Sequence, residues 1–344
     1  MSESLGGVVF NEDRDVVVAH HDSSLDSVLH IFDQHWHGIR SATAGLPGGK
    51  LGISHQRDLT GEDIRHIEGL IFKHGFKVVC FQGFSEKADV LASILHNDFG
   101  RDLRLYAVTH VTTSQFEHTF EMNMLTRIYD KVGKGVLTRA GSVKPNFHLF
   151  HPRTWRNCII NIPPDISSLR MSEAAHEPGT VFIPVENTWR KNLYTQVIAA
   201  HGSSDVDRIM LINWPSHLDQ ILPLNKLHLI GFQPLRGLLT HMGLSEVVMN
   251  VTLSECQPMT QLEALTVGTP TLTGPLRLPG FSDHPLGQLT EVSEVDDPGL
   301  LRKKLNAVLK EWRSDAGGLL AMTSDFLKLR TAAGLNSYRE FLQL

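Results

Sequence analysis

Short runs of Val, Ile, Leu and Phe alternate with amphipathic stretches of ten or more residues along most of this chain. That rhythm restricts the available folds more than any single motif does. A run of four to eight apolar residues bounded by turns reads as a strand buried on both faces, while apolar positions three and four apart read as helix. On this basis DVVVAHH (Asp15–His21) is a strand, and SLDSVLHIFDQHW (Ser24–Trp36) has helical spacing. GEDIRHIEGLIFKHG is a helix with an acidic first turn and Gly75 at its end. FKVVCFQGF is the next buried strand, EKADVLASILHNDFG the next helix, LRLYAVTH a strand, SQFEHTFEMNMLTRIYDKVGKG a long helix and GVLTRAG a strand. Strands separated by such helices imply βαβ units and a mostly parallel sheet.

Between Asp165 and Gly179 the chain turns polar and loses its period, as a linker does. Alternation then resumes with strands TVFIPVE, RIMLINW, LHLIG and EVVMNVTL and helices WRKNLYTQVIAAHG and LRGLLTHMG. A helix over Pro258–Val267 and a strand TPTLTG follow, and the last two long segments are helical. A length of 344 residues suits two domains of ordinary size. The expected organisation is an N-terminal Rossmann-like domain over residues 1–170, a second over 178–315, and C-terminal helices over 316–344 packing back toward the first. Ligands of such sheets sit at the carboxyl ends of strands.

Hydrophobic content of 41% and charged content of 20% fit a globular chain with a sizeable core. A formal net charge of −5 disfavours sequence-independent binding to polyanions. No apolar run approaches the ~20 residues that span a bilayer, and the first residues lack the pattern of a secretory signal. Cys80, Cys158 and Cys256 are widely spaced with no CxxC, consistent with reduced thiols, and the expected location is cytoplasmic. Zinc ligands could come from His20-His21 or from HWH (His35–His37), but no third and fourth ligand stands at metal spacing, so no metal is expected.

The most informative stretch is NVTLSECQPMTQLEALTVGTPTLTG, Asn250–Gly274. EVVMNVTL should be a buried parallel strand, which places Glu255 at the carboxyl edge of its sheet. Pro258 suits the first helical position, and Gly268 with Pro270 ends the helix. Glu263 then lies in the second helical turn. A helix N-terminus offers free N–H groups and partial positive charge, so phosphate is favoured there, with two carboxylates nearby to accept hydroxyl hydrogen bonds. A phosphorylated polyol fits that arrangement.

At these residues the chain resembles the retaining glycosyltransferases of the GT-B fold that carry an E-x7-E motif (the glycosyltransferase family 4-like group). Ser254, Glu255, Glu263, Ala264, Gly268 and Pro270 match the motif, whereas Cys256 and Pro258 replace its glycines. The resemblance implies two Rossmann-like domains facing across a cleft, closed by C-terminal helices. It implies a nucleotide-diphosphate sugar (UDP-, GDP- or ADP-linked) as donor, with Glu255 near the transferred sugar and Glu263 on the ribose. Met259 and Thr260 belong to the helix tip that would meet the diphosphate. Arg190 and Lys191 are the basic residues available to the leaving phosphates, at a closer spacing than the family's. Gly231 and Phe232 border the base in this resemblance, with Phe232 as plain core the alternative. His110 ends a strand where the family sets a histidine against the sugar, although Val111 replaces the Asp that often follows. His20, His21 and Asp22 are weaker acceptor-side candidates, since AHHD lacks the family's glycine-rich loop.

The implied reaction is metal-independent hexosyl transfer with retention, by front-face displacement in which the departing phosphate helps deprotonate the incoming hydroxyl. The acceptor stays open: a glycan, a lipid-linked sugar, a protein, a small molecule or a modified nucleic-acid base. An epimerase, an inverting transferase and a non-catalytic nucleotide-sugar or partner-binding module on the same fold are the rival readings. Oligomeric state is open as well.

Overall fold

The computed structural model describes residues 22–164, 166 and 176–344, which divide into two compact units. The N-terminal unit comprises its described residues up to 166 together with 330–344, and the C-terminal unit comprises 176–329. The expected strand Asp15–His21 lies outside the described residues, as do His20 and His21.

In the N-terminal unit, strands β1 (Val28–Asp33), β2 (Gly49–Ile53), β3 (Val78–Gln82), β4 (Arg104–Thr109) and β5 (Arg139–Ser142) form one parallel sheet in the order 2-1-3-4-5. Helices α1 (His37–Ala44), α2 (Gly61–His74), α3 (Glu86–Phe99) and α4 (Thr119–Gly133) connect them. One helix reading is corrected: the centre of the stretch expected as a helix, Ser24–Trp36, is β1. Leu25, Val28, Leu29, Ile31 and Phe32 satisfy helical spacing and a short buried strand equally well. Position decides it, because all six residues of VLHIFD are buried between β2 and β3, where Val, Ile and Phe pack best. The neighbouring β2, GKLGI, was not expected, since two glycines and a lysine break its apolar run.

One face of this sheet carries Leu29, Ile31, Leu51, Val79, Phe81, Leu105 and Ala107 against α2, α3 and α4. The opposite face carries a row of polar residues in register: Lys50, His30, Cys80, Tyr106 and Arg139. Much of that row is covered by the end of the last helix, α10 (Ala316–Leu342), whose residues from Arg330 belong to this unit. Tyr338 and Phe341 are fully buried, and Tyr106 Oη donates to the Leu342 carbonyl at 3.0 Å. Arg139 donates to the carbonyls of Glu340 and Phe341, and Arg104 to those of Leu342 and Gln343. Two guanidinium groups thus meet the unsatisfied carbonyls and negative pole of a helix C-terminus.

In the C-terminal unit, strands β6 (Thr180–Ile183), β7 (Arg208–Leu211), β8 (Leu227–Leu229), β9 (Val247–Asn250) and β10 (Thr271–Thr273) form a second parallel sheet in the order 10-9-6-7-8. Helices α5 (Leu193–His201) and α9 (Pro298–Ser314) pack on one face through Val197, Ala200, Leu301 and Leu305, while α6 (Leu235–Leu244) and α7 (Met259–Thr266) accompany the other. A short helix, α8 (Pro285–Thr290), precedes α9. Among the described residues no helix is long and apolar enough to cross a membrane.

Candidate functional site

In the C-terminal unit the strand order reverses direction at β6 and β9, which are adjacent although three crossovers separate them in sequence. Such a switch point opens a crevice at the carboxyl ends of two neighbouring strands. The candidate residues on either side of that crevice touch.

After β6 the chain makes a single 3-10 turn, Trp189–Lys191, then passes Asn192 in the left-handed region (φ 55°) and enters α5. Asn tolerates that conformation better than most residues. After β9 the loop carries Ser254 and Glu255 into α7. Lys191 Nζ lies 2.9 Å from Glu255 Oε2, and Arg190 Nη1 lies 3.7 Å from the same oxygen. Arg190 also donates to the Ser254 carbonyl at 3.0 Å, and its own carbonyl accepts from Leu253 N at 2.9 Å. The three side chains are only 16–20% exposed, so this is a sheltered charge cluster and not a solvated turn. Burial alone pushes the Glu255 carboxyl up, but Lys191, Arg190 and the Cys256 N–H outweigh it and hold it below the usual carboxylate range. One carboxylate against two cations leaves a local surplus of positive charge.

Two buried amides, which the sequence reading missed, hold this arrangement. Gln196 donates to the carbonyls of Lys191 and Asn192 and accepts from Val251 N at 2.9 Å. Asn192 Nδ2 donates to the carbonyls of Val251 and Val295. The cationic turn is therefore bolted to the β9 loop through backbone atoms. Only Asn192, standing where the chain must turn, could have signalled this from sequence.

Helix α7 begins at Met259, one residue later than expected, with Pro258 in the cap position and no side-chain cap there. Met259 is buried and Thr260 half-buried at its tip, and Glu263 is 4% exposed one turn further in. On the sheet beneath, the register pairs Thr273 with Asn250. Among the described residues, Asn250 Nδ2, Thr252 Oγ1 and Thr273 Oγ1 are buried side-chain atoms with no hydrogen-bond partner. Polar atoms this deeply buried are nearly always bonded, so they mark places where a water or a ligand's polar atom would be held.

Gly231 (φ 71°) and Phe232 follow β8, two strands from β6 and so about 10 Å away across the sheet. Phe232 is 67% exposed and not core. With Trp189 after β6 and Trp214 after β7, the carboxyl ends of three successive strands each carry an exposed aromatic.

In the N-terminal unit, His110 follows β4, and its Nε2–H donates to Gln82 Oε1 at 3.1 Å. Burial pushes its imidazole down to about 4, so it is neutral at pH 7 with its lone pair on Nδ1. The same Gln82 oxygen accepts from Tyr338 Oη at 3.2 Å, while Gln82 Nε2 donates to His30 Nδ1. Asp22 accepts from Ser24 and Leu25 in the turn before β1 and pairs with Arg339, which accounts for its carboxylate within the fold. Among the described residues no group of three or more His, Cys, Asp or Glu side chains is placed to hold a metal ion.

No protein-family model matches this chain, and no curated protein matches it. Solved structures do. HepE from Anabaena in complex with UDP superposes with a TM-score of 0.58 at 13% identity, covering 92% of this chain and 100% of that one. Sucrose-phosphate synthase from Thermosynechococcus elongatus gives 0.57 at 12% identity, with 92% and 98% covered. A Listeria monocytogenes protein assigned as a UDP-N-acetylglucosamine 2-epimerase gives 0.51 at 14%, with 91% and 94% covered. At these identities the likeness shows the fold: two parallel five-stranded sheets with flanking helices, the GT-B architecture.

Proposed function

We propose that the C-terminal unit binds a nucleoside diphosphate sugar at the carboxyl ends of β6 and β9, and that the chain transfers the sugar to an acceptor hydroxyl. The observation that carries this reading is the sheltered cluster of Lys191, Arg190 and Glu255 at the switch point. A departing diphosphate gains negative charge as the glycosidic bond breaks, and fixed cations favour that state over the ground state. In this reading Lys191, Arg190 and the amino end of α7, at Met259 and Thr260, receive the phosphates. Glu255 releases part of its hold on Lys191 and turns to the sugar hydroxyls, and Glu263 accepts from the ribose. The base stacks against the aromatic row near Gly231 and Phe232. That HepE holds UDP, and in another structure UDP-glucose, on the same fold makes a uridine nucleotide the first to try.

Two stereochemical courses are open to such a transfer. The E-x7-E resemblance favours retention, with the departing phosphate taking the acceptor proton. A separate protein base would favour inversion, and the anomer of the first-formed product decides between the two. The donor reading is tested by calorimetric titration of UDP, GDP and ADP into the wild type and Lys191→Ala. Tight binding of one nucleotide, weakened tenfold or more by the substitution, is expected; binding of none of the three, or equal binding by both proteins, would refute the donor site.

A further inference from the structure

The polar face of the N-terminal sheet, beneath the end of α10, buries two nitrogen donors that the fold leaves short of acceptors. Lys50 on β2 and His30 on β1 are partners in the parallel register, so their side chains leave the same face on strands about 5 Å apart. They are 2% and 1% exposed. Lys50 Nζ donates to the Gly48 carbonyl at 3.0 Å, and among the described residues no second acceptor meets an ammonium that carries three donors. No carboxylate among those residues pairs with it either; Asp26, whose charge reaches it, is an exposed residue. Gly48 (φ 89°) makes the single contact possible. A Cβ there would strike the Leu25 and Val28 carbonyls, so the turn before β2 closes tightly on the start of β1.

His30 is held in one tautomer. His110 Nε2 and Tyr338 Oη both donate to Gln82 Oε1, which leaves the Gln82 amide nitrogen to donate to His30 Nδ1 at 3.1 Å. The neutral ring therefore carries its hydrogen on Nε2, and that buried N–H has no hydrogen-bond partner. The Pro47 carbonyl approaches the ring without completing a bond to Nε2. Tyr338 stands edge-on to the ring at 6.0 Å with its hydroxyl committed to Gln82, and the Gln82 amide also meets Cys80 Sγ. Buried donors are rarely left in this condition, because burial strips their water and here puts nothing in its place. One positive charge and one neutral N–H on neighbouring strands make a seat for a single negative charge.

We propose that Lys50 Nζ and His30 Nε2–H together bind a small monovalent inorganic anion, chloride in ordinary solution. Charge sets the valence, since one ammonium balances one negative charge and a dianion would bury an excess. Burial sets the size, since an ion among side chains so little exposed enters without its water and carries no bulky substituent. The competing occupant is water beside a neutral lysine. Burial pushes the Lys50 amine down to about 7, so near neutral pH its charged and neutral forms lie close. An anion favours the charged form and takes up a proton as it binds, and its affinity falls as pH rises above that value. Cys80, Tyr106 and Tyr338 on the same face are pushed up by burial and stay neutral there, as does His110, pushed down to about 4. Arg139 and Arg339 keep their charge throughout. The pH response therefore belongs to Lys50. This site is independent of the donor reading and stands or falls without it.

The test follows thermal unfolding of the full chain at fixed ionic strength while sodium gluconate is replaced by sodium chloride. Wild type and Lys50→Met are compared at pH 7.0 and pH 8.5; methionine keeps most of the side chain's length and removes its charge. The expected result is a saturable rise in wild-type Tm, because a one-site ligand at 100 times its Kd favours the folded state about 100-fold. Half-saturation should need about tenfold more chloride at pH 8.5 than at pH 7.0, and Lys50→Met should show no rise. Crystals of the wild type grown in sodium bromide should give an anomalous peak in contact with Lys50 Nζ and His30 Nε2, a readout that survives if the variant fails to fold. An equal chloride response in Lys50→Met, no saturable response in wild type, the same half-saturation at both pH values or no bromide peak at this pair overturns the site. A bromide peak without stabilisation in solution is an adventitious ion only, and overturns it as well.

Discussion

The two sheets have the same number of strands and opposite chemistry at their carboxyl ends. In the C-terminal unit the crevice between β6 and β9 gathers full charges, with Arg190 and Lys191 on one carboxylate and the whole clamped by Gln196 and Asn192. In the N-terminal unit the strand ends carry imidazoles held by one amide and one buried acid: His110 on Gln82, His55 on Asp33. Fixed cations suit a ligand that arrives and leaves with charge. The strand orders differ too, 2-1-3-4-5 against 10-9-6-7-8, so each unit brings a different pair of loops together at its switch point.

The largest effect that would break this division concerns Glu255. Glu255→Ala should lower sugar-transfer or hydrolytic turnover by about 100- to 1,000-fold, the range for losing one preorganised polar group at the reacting centre. Nucleotide affinity should hold or rise, because Lys191 loses its competing partner; kcat and Kd measured separately decide it. Equal losses in both would move Glu255 from the sugar to the phosphates.

Next is the clamp. Gln196→Ala leaves the buried Val251 N without its side-chain acceptor, removes the amide's bonds to the Lys191 and Asn192 carbonyls, and should destabilise the C-terminal unit by about 1–3 kcal/mol. Segment-resolved hydrogen exchange should show the loss around β6, β9 and α5 and none in the N-terminal sheet.

Acid should separate the units in the other direction. Burial, with the Lys50 charge adding to it, pushes His30 down to about 3. Between the ordinary histidine value and that one, the unfolded chain binds the proton and the folded chain does not, so stability falls as pH falls. From pH 6.5 to 5, His30 alone removes on the order of 2 kcal/mol from the N-terminal unit, and His110, pushed down to about 4, acts with it. In the C-terminal unit His241 is pushed the same way but less far. Glu255, whose value is lowered, loses its contribution only below the ordinary carboxylate range. Hydrogen exchange at pH 7 and pH 5 should therefore show the N-terminal sheet opening first. The smallest effect is Phe232→Ala, expected to change stability by less than about 0.5 kcal/mol because the ring is exposed, while weakening nucleotide binding several-fold.

The parts legible in sequence are those whose signal is local. Strand β9, the loop with Glu255, helix α7 and strand β10 follow one another from Val247 to Thr273, and proline and glycine punctuate them. Arg190 and Lys191 were visible as basic residues, but the Lys191 contact with Glu255 crosses 64 positions, and both contacts depend on β9 lying beside β6. Asp33 and His55 stayed hidden for a specific reason. Reading Ser24–Trp36 as a helix put Asp33 on a helix face, whereas β1 as a strand puts it at a carboxyl end, and β2, which would have placed His55 beside it, has too few apolar residues to be seen. The polar row Lys50, His30, Cys80 and Tyr106 misleads in the same way, because strands beneath the end of α10 bury polar side chains where a parallel sheet ordinarily buries apolar ones.

The central claim is that the cations after β6 hold a nucleoside diphosphate. Isothermal titration of UDP into wild type and Lys191→Ala measures this directly. The account predicts one site per chain and an affinity loss of about 10- to 100-fold, the size of a hydrogen bond between charged groups. Identical affinity in both proteins, or no heat of binding from UDP, GDP or ADP to the wild type, would contradict it.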